Sequence, residues 1–152
     1  MRRSRQELAP LPEPVYDGDV VPVAAAGEVV LLVEDDPDVR RLTVMLIEEL
    51  GYTVLSAADG TEALAVSQAA PRIDLLVSDV MLPKGMTGVE LASLLKAKRT
   101  TLAVLFVSGY SEDTIIKSGA IDRDVNLLTK PFHKASLAYA MRKSLDRSHV
   151  GP

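Results

Sequence analysis

The stretch VVLLVEDDPDVRRLTVMLIEEL, residues 29–50, joins a short apolar run to an amphipathic helical pattern through a group of acidic residues. The run Val29–Val33 is aliphatic throughout, which is typical of a strand buried on both faces of a parallel sheet. Asp36 followed by Pro37 predicts the start of a helix, because Asp caps free backbone N–H groups and Pro is favoured at the first helical position. We expect this helix to end at Gly51. Its predicted apolar face contains Val39, Leu42, Leu46 and Leu50.

The same alternation of apolar runs and helical patterns continues along the chain. Further strands are predicted at residues 53–55, 75–77, 102–107 and 125–128. The capping-box sequences DGTE (59–62) and TGVE (87–90) predict the second and third helices. A weaker pattern at 111–118 predicts a fourth helix, and apolar spacing over about 133–146 predicts the last one. Five strands alternating with five helices indicate an α/β domain whose parallel strands are joined by right-handed crossovers.

Composition limits the classes of function. The net charge of −4 over 152 residues gives no support for nucleic-acid binding, and no nucleic-acid partner is expected. The chain contains no Cys, which excludes disulfides and thiol-based metal sites and fits a reducing compartment. No apolar run approaches the roughly 20 residues that cross a bilayer. We therefore expect a cytoplasmic protein without membrane contact.

The beginning of the chain differs in composition from the rest. Residues 1–27 contain four of the nine prolines and end in a run of small residues, which predicts a flexible N-terminal tail or linker. Residues 28–147 are expected to form one domain, and residues 148–152 a short C-terminal tail. No DNA-binding or enzymatic domain is expected after the last helix.

Polar residues follow the predicted strands at the points where they end. Glu34 and Asp35 follow the first strand, Asp79 the third, Ser108 the fourth and Lys130 the fifth. The carboxyl ends of parallel strands meet at one edge of the sheet, where ligands of such folds bind. Three carboxylates brought together repel one another unless a cation compensates them, and hard oxygen ligands suit Mg²⁺.

The same group of side chains is suited to phosphoryl transfer. That chemistry needs mainly positioning and charge stabilisation, which a metal ion, the Lys130 ammonium and the Ser108 hydroxyl would supply. Asp79 is the best-placed acceptor, since it ends a central strand and precedes a loop containing Pro and Gly. A lone acidic residue after a strand is usually a helix cap, as we expect of Asp36. The full combination at successive strand ends favours a functional site.

Four motifs carry a resemblance to a known family: LLVEDDPDVR (31–40), DLLVSDVMLPKGMTG (74–88), VLFVSGY (104–110) and LLTKPF (127–132). Over about residues 28–147 the chain resembles the receiver domain of two-component response regulators, most of all the receivers of hybrid sensor histidine kinases. The resemblance implies a flavodoxin-like (βα)5 fold in three layers, with a parallel sheet of strand order 2-1-3-4-5. It also implies a non-enzymatic signalling domain that takes a phosphoryl group from a histidine kinase or a histidine phosphotransfer protein.

The resemblance also assigns roles to individual residues. Asp79 matches the phosphoacceptor, and Lys130 and Ser108 match the phosphate-contacting lysine and the switch hydroxyl. The Mg²⁺ ligands would be Glu34, Asp35 (in direct contact), Asp79 and the backbone carbonyl of Met81. The peptide bond before Pro131 is expected to be cis.

Two departures from the family pattern bear on the switch and the loop. Leu127 occupies the position of the aromatic switch residue, and we hypothesise that Tyr110 takes over part of that role. The loop at 83–88 is one residue longer than in many stand-alone regulators.

Two other functions remain open at this point. One is a phosphohydrolase with an aspartyl-phosphate intermediate, although Met81 stands where such enzymes carry a general acid. The other is a receiver-like interaction module that works without phosphorylation. The sequence also leaves open the oligomeric state and whether the chain is a stand-alone regulator or a receiver cut from a hybrid kinase.

Overall fold

The computed structural model describes residues 21–109 and 126–150, in which strands and helices alternate. The elements in chain order are β1 (Val29–Val33), α1 (Pro37–Glu49), β2 (Thr53–Ala57), α2 (Gly60–Ala69), β3 (Leu75–Asp79), α3 (Gly88–Lys98), β4 (Ala103–Ser108), β5 (Asn126–Thr129) and α4 (Lys134–Val150). The predicted strands are confirmed within two residues at each end. The helix predicted at 111–118 and Tyr110 lie outside the described residues. No helix in this part of the chain is long and apolar enough to cross a membrane.

The strands form one parallel sheet in the order β2-β1-β3-β4-β5. The central strand β3 is buried along its whole length, whereas β2 and β5 at the edges are partly exposed. The predicted α/β fold, flavodoxin-like with strand order 2-1-3-4-5, is confirmed. Its consequence is that Asp79, the last residue of β3, lies at the middle of the carboxyl edge.

Apolar residues of successive strand positions fill two separate layers, because side chains alternate across a sheet. One layer is closed by α1 and α4: Val30, Leu32, Val77 and Leu105 meet Ile47, Leu137 and Met141. The other is closed by α2 and α3: Leu31, Val33, Leu76 and Phe106 meet Ala63, Leu91 and Leu95. The three-layer architecture follows from these two cores.

Helix α1 begins as expected but turns a different face to the core. The side chain of Asp36 accepts hydrogen bonds from the backbone N–H groups of Asp38 and Val39 at 2.8 and 3.1 Å. The predicted burial of Leu42 is wrong, since this side chain is 52% exposed. Thr43 is buried in its place, because its hydroxyl donates to the carbonyl of Val39 at 2.7 Å and is thereby satisfied.

The two predicted capping boxes differ in detail. At α3 the box is complete, with Thr87 and Glu90 each accepting the other's backbone N–H. At α2 the Asp59 side chain accepts from the N–H of Glu62, but the Glu62 carboxylate accepts from Ala58 instead of Asp59. The last helix runs to Val150, beyond the predicted end at residue 146.

Part of the predicted N-terminal tail contacts the domain. The backbone N–H of Ala24 donates to the carbonyl of Leu50 at 2.9 Å, and Val21 packs with Ala24 against the core between the sheet and α1 and α4. The N–H of Ala25 donates to the Glu28 carboxylate at 2.7 Å. The domain boundary drawn at residue 28 remains a prediction.

Candidate functional site at the carboxyl edge of the sheet

Asp79 is fixed by close backbone contacts on both sides. It pairs in register with Val107 of β4, and the next N–H, that of Val80, donates to the Val107 carbonyl at 3.0 Å. The start of α3 presses against the same point, with the Gly88 N–H donating to the carbonyl of Val80 at 2.7 Å. A side chain at Gly88 would collide with the backbone carbonyl of Asp79, so only glycine permits this approach. The Asp79 side chain is left 9% exposed at the edge.

Three carboxylates converge beside β1 and β3. Oxygen atoms of Glu34, Asp35 and Asp79 all lie within 4.8 Å of one another, with Glu34 and Asp79 buried and Asp35 exposed. The turn that carries Glu34 is held by its own N–H, which donates to Ala57 at 3.1 Å. The guanidinium of Arg40 donates to the Glu34 carbonyl at 2.7 Å. The three predicted carboxylate ligands are therefore brought together by the fold.

Lys130 is the cation that faces this group. Its ammonium lies 2.9 Å from Glu34 Oε1 and 3.2 Å from Asp79 Oδ1. The lysine is positioned by its backbone N–H, which donates to the carbonyl of Ser108 at 2.8 Å, and the Lys130–Pro131 peptide bond is cis as expected. Burial lowers the pKa of Lys130, but the two carboxylates outweigh burial and raise it, so the side chain stays charged.

The site has less positive than negative charge. Burial and the negative charge of Glu34 together raise the pKa of Asp79 to about 8, because Lys130 only partly opposes them. A divalent cation beside the carboxylates would favour their ionised forms. Two buried carboxylates and one exposed to water provide the hard oxygen donors and the room for water that Mg²⁺ prefers. The residues present thus fit a magnesium ion.

Ser108 contributes a buried hydroxyl at the end of β4. The residue is completely buried, and its Oγ has no hydrogen-bond partner in the part of the chain that the structure describes. A buried polar atom without a partner is unfavourable, unless the site completes its bonding with a ligand. Ser108 stands one residue beyond the Asp79–Val107 pair, so its hydroxyl lies at the same edge of the sheet as Asp79.

Met81 and Leu127 are the other predicted site residues in the described part of the chain. Met81 lies two residues after Asp79 with its side chain 46% exposed, and the metal contact of its carbonyl remains a prediction. Leu127 pairs with Phe106 in the sheet and packs against the core under α2 and α3. It is thereby held in the apolar layer.

Arg40 and Gly88 are site residues whose roles the sequence analysis missed. The Arg40 guanidinium reaches back across the first turn of α1 to the Glu34 carbonyl, and Gly88 leaves room for the backbone carbonyl of Asp79. The sequence does contain a signal for Gly88. Glycine is unfavourable inside a helix and the capping box does not require it, so a glycine at this position indicates a close backbone contact. Arg40 shows no signal that would distinguish it from a solvated helix residue.

Comparison with known proteins decides the family. The family model for the response regulator receiver domain matches residues 30–142, which include the three carboxylates and all five strands except for Val29, the first residue of β1. The chain belongs to the response regulator receiver family. The receiver domain acts as a phosphoacceptor signalling module in two-component systems, and the family is a regulatory one.

The relatives of this receiver domain include parts of larger kinases and stand-alone regulators. It is 37% identical over 119 residues to sensor kinase CckA of Brucella abortus, covering 78% of this chain and 12% of that protein. It is 34% identical to the response regulator receiver protein CpdR of the same organism, covering 76% of this chain and 95% of that one. The chain thus spans a small part of the first relative and nearly all of the second.

Solved structures show the same fold. The receiver domain of hybrid histidine kinase CckA aligns with a TM-score of 0.63 at 35% identity, covering 77% of this chain and 98% of that one. The chemotaxis protein CheY4 of Vibrio cholerae aligns with a TM-score of 0.67 at 31% identity, covering 79% of this chain and all of that one. Receiver domains generally bind Mg²⁺ at an acidic pocket and interact with histidine kinases or phosphotransfer proteins.

Proposed function

We propose that Asp79 is the phosphoacceptor of this receiver domain, and that a histidine kinase or histidine phosphotransfer protein in the cytoplasm is its donor. The observation that carries the proposal is the position of Asp79: it ends the central strand, within 4.8 Å of two further carboxylates and 3.2 Å from the Lys130 ammonium. Glu34 shares the cluster and lies 2.9 Å from Lys130, but it follows the end of β1, whereas Asp79 is the last residue of the central strand.

The transfer itself is a displacement at phosphorus. An oxygen of the Asp79 carboxylate forms the new P–O bond while the P–N bond to the donor histidine breaks, and the electron pair of that bond stays on the imidazole. Lys130 offers its ammonium to the phosphoryl oxygens, and the buried hydroxyl of Ser108 donates a hydrogen bond to one of them. Mg²⁺ held by Glu34, Asp35, Asp79 and the Met81 carbonyl would supply charge neutralisation on the phosphoryl group when bound.

Phosphorylation is proposed to change partner binding through Ser108 and Lys130. The phosphoryl group adds negative charge and acceptor oxygens. Lys130 now bridges Glu34 and Asp79, and must divide its hydrogen bonds between them and the new oxygens. Ser108, whose hydroxyl has no partner among the residues that the structure describes, gains one, and this draws the end of β4 toward Asp79. Leu127 is partly buried against the apolar core under α2 and α3, so we place the switch at Ser108 with Tyr110 and not at Leu127.

The test is phosphorylation of the chain by acetyl phosphate in the presence of Mg²⁺, read by mass spectrometry of the intact protein. The wild type is expected to gain one phosphoryl group, and Asp79→Asn none. Asp38→Asn, which removes an exposed carboxylate of α1, is the matched control and should behave as the wild type. Phosphorylation of Asp79→Asn to the wild-type level would contradict the assignment. Hydrolysis within seconds of transfer would instead favour the phosphohydrolase alternative.

A further inference from the structure

The loop that follows Asp79, residues 80–87, is closed at its base. It leaves the sheet at Val80, whose N–H is bonded to Val107, and returns at Gly88, whose N–H is bonded to the Val80 carbonyl. Both ends of the loop are therefore pinned to one residue next to the proposed phosphoacceptor. Since the base is fixed, the position of the tip governs how the residues in between lie.

The tip of this loop is attached to the first turn of α2. The ammonium of Lys84 lies 3.2 Å from Asp59 Oδ2, while Oδ1 of the same carboxylate caps α2 by accepting from Glu62. The Lys84 side chain is 72% exposed, whereas that of Asp59 is only 11% exposed. Beside this pair, the thioether of Met86 lies against Gly60, where any side chain would displace it. Met86 also packs against the apolar core under α2 and α3.

The backbone at the tip adopts a conformation that a lysine does not favour. Lys84 has a φ of 66° and Gly85 a φ of 83°, so two consecutive residues are left-handed. Gly85 tolerates this conformation, but Lys84 carries a Cβ that makes it unfavourable. Lys84 is the only residue other than glycine with a positive φ in the described part of the chain. A strained residue persists where surrounding contacts hold it, and the contact found here is the Asp59 ion pair.

We propose that Lys84 and Met86 form a latch between the loop and the first turn of α2, and that Lys84 is a positioning residue for the metal site. The inference rests on the proposed function above and deepens it. Between the pinned base and the latched tip lies Met81, whose side chain is 46% exposed and does not itself anchor the loop. The latch therefore restricts where the backbone of Met81 lies beside Asp79. It also compensates the charge of Asp59, a further carboxylate at this edge.

The experiment compares Lys84→Met, Lys84→Arg and Lys84→Gly with the wild type. Lys84→Met removes the ammonium, Lys84→Arg retains a cation, and Lys84→Gly removes the cation while relieving the strained φ. Lys143→Met, which removes an exposed cation from α4 on the other side of the sheet, is the control for net charge. Three quantities are measured: hydrogen exchange at the Val80 and Gly88 amides, the dissociation constant of Mg²⁺ by calorimetry, and the thermal midpoint.

We expect Lys84→Met and Lys84→Gly to speed exchange at the two amides and to weaken Mg²⁺ binding by roughly two- to fivefold, the range of an exposed ion pair. Lys84→Arg and Lys143→Met should both keep the exchange rates and the Mg²⁺ affinity of the wild type. Lys84→Gly is expected to keep the thermal midpoint, which separates positioning from a loss of fold stability.

Unchanged exchange in both cation-free variants overturns the latch. Faster exchange with unchanged Mg²⁺ affinity overturns the positioning role. If the wild type binds no Mg²⁺, both the proposed metal site and the positioning role are contradicted. Hydrogen exchange at the Val80 and Gly88 amides then still tests the latch.

Discussion

Ser108 is one of two described residues, with Tyr52, whose buried side-chain oxygen has no hydrogen-bond partner among the described residues. It is fully buried with its hydroxyl unpaired among the described residues, whereas Ser144 is equally buried but donates to the Ala140 carbonyl at 2.8 Å. Replacing Ser108 by Ala is expected to leave the free energy of unfolding unchanged or to raise it by up to about 1 kcal/mol. Ser144→Ala should lower it by about 1 kcal/mol, because a made hydrogen bond is lost. Urea unfolding of the unphosphorylated proteins measures both, and equal losses would show that Ser108 has a partner in the resting state.

Asp79 makes stability depend on pH. Its pKa in the folded state is about 8, against an ordinary value of 3.8. Between these values the folded state holds more protons than the unfolded state, so the free energy of unfolding falls as the pH rises from about 4 to about 8. Asn cannot ionise. Asp79→Asn should therefore be more stable than the wild type at pH 8 without divalent ions, by at least about 1 kcal/mol.

The measurement is urea unfolding at several pH values in the presence of a chelator. The advantage of Asp79→Asn should shrink toward pH 4, and Mg²⁺ should stabilise the wild type more than the variant. Asp38→Asn, an exposed carboxylate, serves as control and should follow the wild type. If the free energy of unfolding depends on pH in the same way for the wild type and Asp79→Asn, the raised pKa of Asp79 is refuted.

Single residues of the site could be predicted where the sequence alone fixes their place. Glu34, Asp35, Asp79 and Lys130 follow the ends of apolar runs, and parallel strands bring such ends to one edge. Which partner each finds could not be predicted. Lys130 lies closer to Glu34 than to Asp79, and that difference depends on side-chain rotamers across three strands.

At the scale of elements, α1 shows how far periodicity predicts a face. Leu42 fits the predicted apolar stripe but is 52% exposed, while Ile47 is completely buried. The stripe is misplaced because Thr43 faces inward with its hydroxyl bonded to the helix backbone, so a polar residue occupies a core-facing position. The spacing of apolar residues cannot predict that a threonine hydroxyl bonds to the backbone of its own helix.

The energetic consequence is a contrast between two substitutions on one helix. Ile47→Ala should cost about 2–5 kcal/mol, because it leaves a cavity under the sheet. Leu42→Ala should change the free energy of unfolding by less than about 0.5 kcal/mol, as exposed substitutions generally do. Urea unfolding of both variants provides the measurement. A cost at Leu42 close to that at Ile47 would mean that α1 is rotated relative to the structure described here.

At the scale of the whole molecule, the alternating pattern predicted the five strands, and the resemblance predicted their order. What neither predicted is how the chain before β1 joins the domain. Glu28, only 3% exposed, receives a bidentate pair from Arg142 of α4 at 2.8 and 3.0 Å and also accepts from the N–H of Ala25. The two side chains are 114 residues apart, so no local pattern links them.

This pair joins the two ends of the domain and should contribute to its stability as a unit. The hydrogen bonds to Glu28 raise the pKa of Arg142 above its usual range, so the guanidinium stays charged. Removing Glu28 leaves Arg142 with the exposed carboxylate of Asp146 at 3.1 Å, and removing Arg142 takes the bidentate cation away from the buried Glu28 carboxylate. Glu28→Gln and Arg142→Met are therefore each expected to cost about 3 kcal/mol, and the double variant clearly less than the sum.

A double-mutant cycle in urea measures that coupling. The exposed pair Lys134–Glu49, at 3.0 Å, provides a reference cycle, whose coupling should stay below about 0.5 kcal/mol because water screens it. If the two cycles give the same coupling, the Glu28–Arg142 pair is as solvated as the surface pair, and the ends of the domain are not joined through it. A larger coupling at Glu28–Arg142 means that the segment entering β1 and helix α4 unfold together, at the end of the sheet opposite Asp79.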